Sequence, residues 1–174
     1  MNRKVRENIE VLAGLIRDYC GMNNQTSEED VMSILGGRIT LDDKLPLDIK
    51  GTITKCGDNQ SPGFIIRLSD AMNEREKRLV LFRQIGHLFL HMGYMIDEDR
   101  WQKSGEYRIG ETLEEKTESD EFALDILMPA SEYRKIMKQS SSEGSVDVEK
   151  IADTFKVPLE AAIRRGRRLG CLEW

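Results

Sequence analysis

RLVLFRQIGHLFLHMGY, residues 78–94, is the stretch on which the reading of the whole chain turns. From Leu79 onward its apolar residues, Leu79, Leu81, Phe82, Ile85, Leu88, Phe89 and Leu90, run all round a helical wheel, which predicts a helix over residues 73–92 buried on most sides. On the same wheel Arg83, Gln84, His87 and His91 fall within one arc roughly 100° wide. A polar stripe on a buried helix must face a cleft, water or polar partners, because each buried polar group left unpaired costs about 1–3 kcal/mol. A lone histidine in such a place reads as a satisfied core residue. Four polar residues on one arc, including both histidines of the chain, read as the wall of a cleft.

Around this helix the texture alternates. VRENIEVLAGLIRDY sets Val5, Ile9, Leu12, Ile16 and Tyr19 at spacings of four and three, an amphipathic stripe that packs by one face. TSEEDVMSIL opens on a Thr/Ser cap with an acidic first turn and stops at Gly36-Gly37, a second short helix. GTITKCG and GFIIRLSD are short β-rich runs separated by the turn-forming DNQSP, and read as two antiparallel strands of a small sheet. Residues 93–110 read as an irregular polar loop, and residues 111–128 as a helix ended by Pro129. KQSSSEGS, residues 138–145, has the composition of a linker, and two short helices follow at 147–155 and 158–169. The expected plan is one domain over 1–174: N-terminal helices to residue 37, a core over 38–137 and a helical pair over 146–174.

Composition narrows the function classes. With 26 Lys+Arg against 31 Asp+Glu the net charge is −5, so the chain as a whole carries no electrostatic footprint for nucleic acid or an anionic membrane. Cys20, Cys56 and Cys171 are scattered and odd in number, which indicates neither a disulfide framework nor a Cys-x-x-Cys metal site and suits a cytoplasmic protein. MNRKVRENIE lacks a signal-peptide core, and no run of membrane-spanning length is present.

FRQIGHLFLH followed by EEKTESDEFALDILMP resembles the ImmA/IrrE family of zinc metallopeptidases, in which A-H-E-L-G-H-x-x-x-H precedes E-x-E-A-N-x-F-A-x-x-L-L-M-P. The matches are Gly86, His87 and His91 on the first helix, and Phe122, Ala123, Leu127, Met128 and Pro129 on the second. The tail VEKIADTFKVPLEAAIRRGRRLGCL resembles that family's C-terminal helices through Ala152, Phe155 and Val157. The resemblance implies an α+β, gluzincin-like metallopeptidase fold, with a small twisted antiparallel sheet on the former zinc helix and a helical C-terminus. In the family, two histidines and a downstream glutamate hold zinc while the glutamate of H-E-x-x-H acts as general base. Carried over, the ligand positions are Arg83, His87 and Lys116, the last counted back from Pro129, and the base position is Gln84.

Three of these four residues cannot do that work. Arginine is permanently protonated and offers no lone pair. Glutamine keeps the shape of glutamate but takes no proton from water at neutral pH. Lysine puts a cation where a carboxylate should neutralise the metal. The expected function is therefore a catalytically inactive module of this family, without cofactor, that binds or regulates a protein partner. The resemblance implies a helix-turn-helix repressor of a mobile element or stress response, or a related active peptidase. The competing reading is an active zinc peptidase whose metal has moved to His87, His91 and Glu115, since on the wheel Glu115 or Lys116 points inward and Glu118 lies well off that face. Asp120 joins His91 and Glu115 as a candidate cleft residue. Arg83 is expected to stand in for the metal and pair with Glu115, with Asp120 and Glu111 in reserve. The strand bearing Phe64, Ile65, Ile66 and Arg67 is expected at the sheet edge, where it pairs with an extended peptide. The arginines of RRGRR, Arg164, Arg165, Arg167 and Arg168, read as a solvated helix face; a nucleic-acid partner is not indicated.

Overall fold

Asn73 caps the helix predicted at the centre of the chain: its side chain accepts from the Glu76 backbone N–H, and the Glu76 side chain accepts in return from the Asn73 N–H. The computed structural model describes residues 1–23, 25–57, 61–108, 112–142 and 145–172. In chain order the elements are α1 (Arg3–Tyr19), α2 (Glu28–Ile34), β1 (Gly37–Asp42), β2 (Gly51–Lys55), β3 (Phe64–Ser69), α3 (Glu74–Leu90), α4 (Glu98–Lys103), β4 (Glu106–Arg108), α5 (Leu113–Leu127), α6 (Ala130–Gln139), β5 (Ser141–Ser142), β6 (Ser145–Val146), α7 (Val148–Phe155) and α8 (Leu159–Arg168).

The class is α+β, as expected, but the sheet differs in two respects. Four strands lie in the order β1-β3-β2-β4, with β2 antiparallel to β3 and to β4. GRITLD, which was not read as a strand, forms β1 and pairs parallel to β3, so the sheet is mixed rather than antiparallel. Consequently Phe64, Ile65, Ile66 and Arg67 lie on an interior strand with both ladders occupied, and the expectation that they form a peptide-binding edge is corrected. Their alternation explains the placement: Phe64, Ile66 and Leu68 are buried, a face that packs on α3.

α5 lies against α3 on one side and α1 on another, so little of its second half meets water. Arg17 fastens α1 by donating to the Ile126 carbonyl at 2.9 Å and to Glu132 at 2.8 Å. The segment expected as a loop carries α4 and β4, held by Tyr94, whose ring packs against Phe64, Phe89 and Trp101 while its hydroxyl donates to the Leu35 carbonyl. The expected linker is a small hairpin, β5–β6, preceded by a helix, α6, that the sequence reading did not assign. One hydrophobic core joins Ile9 of α1 to Leu172 beyond α8. Among the described residues no helix is long and apolar enough to cross a membrane.

Candidate functional site

Gly86 fixes how α3 and α5 meet. A Cβ there would stand 3.2 Å from Ser119 Cα and from Phe122 Cβ, so the absent side chain lets the two helices approach closely. On one side of this crossing Arg83 faces Asp120; on the other, His91 faces Glu118. Arg83 Nε lies 2.5 Å from Asp120 Oδ1, and Arg164 of α8 donates to Asp120 Oδ2 at 3.2 Å. The partner of Arg83 is thus Asp120 and not Glu115, which accepts from the Thr112 hydroxyl that caps its own helix. Glu111 lies outside the described residues. Burial, with Arg164 alongside, pushes the Arg83 guanidinium below its ordinary pKa against the opposing pull of Asp120.

Gln84 is fully buried and donates through Nε2 to the Gly51 carbonyl of β2 at 3.3 Å. Only the amide end of a side chain can face that oxygen; a carboxylate would repel it. His87 and His91, one turn apart, share a hydrogen bond between their Nδ1 atoms at 2.9 Å, and His91 Nε2 meets Glu118 Oε2 at 3.1 Å. A carboxylate accepts, so His91 donates from Nε2; with a neutral His91 its Nδ1 then receives from His87 Nδ1–H, and His87 Nε2 is the lone-pair nitrogen. Burial first, then the neighbouring His91 and Arg83, lowers His87 to about 3, and its imidazole stays neutral.

These residues do not fit zinc. Lys116 is exposed and far from a ligand's posture, Arg83 is a cation engaged with Asp120, and His87 is the single ligand-type residue among the three carried-over ligand positions. The displaced set does not assemble either: Glu115 is spent on the cap, and His91 turns its two nitrogens to different neighbours. Among the described residues no three His, Cys, Asp or Glu side chains are grouped to hold a metal. Glu118, placed off the inward face by the wheel, is inward.

Arg165 and Arg168 are turned inward, against the expectation of a solvated face, while Arg164 and Arg167 are exposed as expected. Arg165 pairs with Asp125 and donates to the Met128 carbonyl at 2.9 Å, Arg168 pairs with Glu121, and Arg164 holds Asp120. They bind α8 to α5. Glu121 and Asp125 lie four residues apart and Arg165 and Arg168 three apart, one helical turn in each case, so both pairs can form between the same two faces.

Two concavities flank α3. A groove of about 810 Å³ runs beside β1, floored by Met32, Ile39, Leu41, Leu68 and Leu81. A smaller one of about 200 Å³ lies on the Arg83 side, between α3, the start of β2 and α8.

The sequence profile of the IrrE N-terminal-like domain, a peptidase family, matches residues 44–166, and the chain belongs to that family. Its fold is similar to that of a Mycobacterium tuberculosis transcriptional regulator, with a TM-score of 0.60 and 15% identity over 93% of this chain and 50% of that one. The chain thus spans half the length of that protein, and at this identity the likeness is one of fold. Among curated proteins no sequence matches.

Proposed function

We propose that this chain is a catalytically inactive member of its peptidase family, a cytoplasmic module that binds or regulates a protein partner. The observation that carries the reading is the Arg83–Asp120 ion pair: a permanent cation, held by a carboxylate of the facing helix, occupies the first carried-over ligand position. Gln84 supports it, because its buried amide is committed to the Gly51 carbonyl and cannot take a proton from water. The groove beside the edge strand β1, lined by charged as well as apolar side chains, supports a binding role, since an extended segment can add to a free strand edge with its side chains in the groove. The family resemblance favours a helix-turn-helix repressor as that partner.

Peptidase activity tests the reading. Purified protein supplied with zinc is expected to leave an unfolded protein substrate and a mixed peptide pool intact. Cleavage that disappears in Gln84→Ala or His87→Ala would overturn it.

A further inference from the structure

The smaller cavity, of about 200 Å³, has three cations in its wall, Lys50, Arg83 and Arg164, and two carboxylates, Glu76 and Glu160. They are not equivalent. Lys50 lies 3.4 Å from Glu76, a pair at the surface. Arg83 and Arg164 share the single carboxylate of Asp120, so that trio carries one surplus positive charge. The surplus sits deep, because the Arg83 side chain is only 18% exposed, whereas Glu160 is exposed at the rim and well screened. The close approach of Arg83 to Asp120 is through Nε, and among the described residues its two terminal amino groups make no hydrogen bond. Its lowered pKa is the mark of a buried cation short of negative charge.

We infer that this cavity is a carboxylate receptor, in which the terminal amino groups of Arg83 take the acidic side chain or the C-terminal carboxylate of a bound polypeptide, with Arg164 and Lys50 at the mouth. The planar fork of arginine matches a carboxylate in two parallel hydrogen bonds. A cavity of about 200 Å³ has room for a carboxylate-bearing side chain. A phosphate dianion is disfavoured by Glu76 and Glu160, which a monoanion tolerates. The inference rests on the binding-module reading and names the group that module grips.

Three probes test it by titration into isotope-labelled protein, followed through the Arg83 side-chain and the Val80 and Ala161 backbone signals: N-acetyl-glutamate amide, N-acetyl-alanine with a free carboxylate, and N-acetyl-glutamine amide. Saturable shifts are expected with either carboxylate and none with glutamine; the two acids separate a side chain from a chain terminus as the natural source. Arg83→Lys, which keeps the charge and removes the fork, should weaken binding at least about fivefold. Glu160→Gln, an exposed change that leaves the fold intact, should tighten it two- to threefold by removing repulsion at the rim. The inference is overturned by absence of saturation up to tens of millimolar, by equal shifts with the glutamine probe, by tighter binding of inorganic phosphate, or by affinities unmoved in both variants. A protein that proves zinc-free and non-hydrolytic yet binds no carboxylate keeps the inactive-module reading and loses only this site; bound zinc with cleavage removes both.

Discussion

Arg83 carries the account at the scale of single residues. A cation pointing into a buried cleft needs a carboxylate, and that requirement was legible from Arg83 alone; which carboxylate was not. The wheel offered Glu115 because it lies near the centre of the apolar face of α5, but Glu115 is in the first turn of that helix, where the Thr112 cap engages it. Asp120 lies deeper, beside the Gly86 crossing, and serves two arginines. This arrangement makes the two halves of the pair unequal. Asp120→Ala leaves Arg83 and Arg164 facing each other with nothing between, and should cost about 3–5 kcal/mol. Arg83→Ala leaves Asp120 paired with Arg164, which is half exposed, and should cost less, about 1–3 kcal/mol. Urea denaturation of both variants checks the order; an Arg83→Ala loss equal to or larger than that of Asp120→Ala would mean that Arg164 does not share the carboxylate.

Between elements, the decisive contact is α5 with α8. The expected solvated face of α8 fails at Arg165 and Arg168 for one reason. α5 is enclosed by α1, α3 and α8, so its acids at Glu121 and Asp125 are buried and must be neutralised, and the arginines of α8 supply the charge. Asp125 bears the strongest consequence. Burial outweighs the attraction of Arg165 and raises its carboxyl to about 6 from an ordinary value of 3.8. The native state therefore takes up the proton more readily than the unfolded chain. The stability this contributes is complete below pH 3.8 and is lost as pH rises through 6. The window is on the order of 3 kcal/mol from end to end. His87, lowered to about 3, acts in the opposite sense below its ordinary pKa, so the contribution of Asp125 is isolated only by comparison. The stability advantage of the parent over Asp125→Asn should be larger at pH 4.5 than at pH 7. An advantage that is unchanged, or larger at pH 7, would show that the ion pair dominates the burial.

For the whole molecule, the class of fold was legible because α3 reads as a buried helix and because β2 and β3 alternate cleanly around a turn-forming segment. Two things hid the sheet order. GRITLD begins with glycine and has only a partly buried apolar face, since Ile39 and Leu41 floor an open groove instead of a packed core. A parallel partner lies far away in sequence and leaves no hairpin signal. Moving β3 from the edge to the interior changes what a proline does there. Ile66→Pro removes an N–H from a strand paired on both sides, where no N–H can be turned to solvent, and is expected to abolish cooperative thermal unfolding; a variant that melts near the parent temperature would put β3 back at an edge. The candidate site divides in the same way. That the carried-over positions hold residues unsuited to zinc could be read from Arg83, Gln84 and Lys116, whereas the pairing of Arg83 depends on α5 and α8 meeting at Asp120, which no local pattern states. The central claim, that an arginine held by Asp120 has taken the place of the metal, is tested most directly by elemental analysis of the full chain purified from zinc-supplemented cells without chelators. Zinc well below one equivalent, unchanged in His87→Ala, is the expected result. About one equivalent in the parent, lost in His87→Ala, would contradict it.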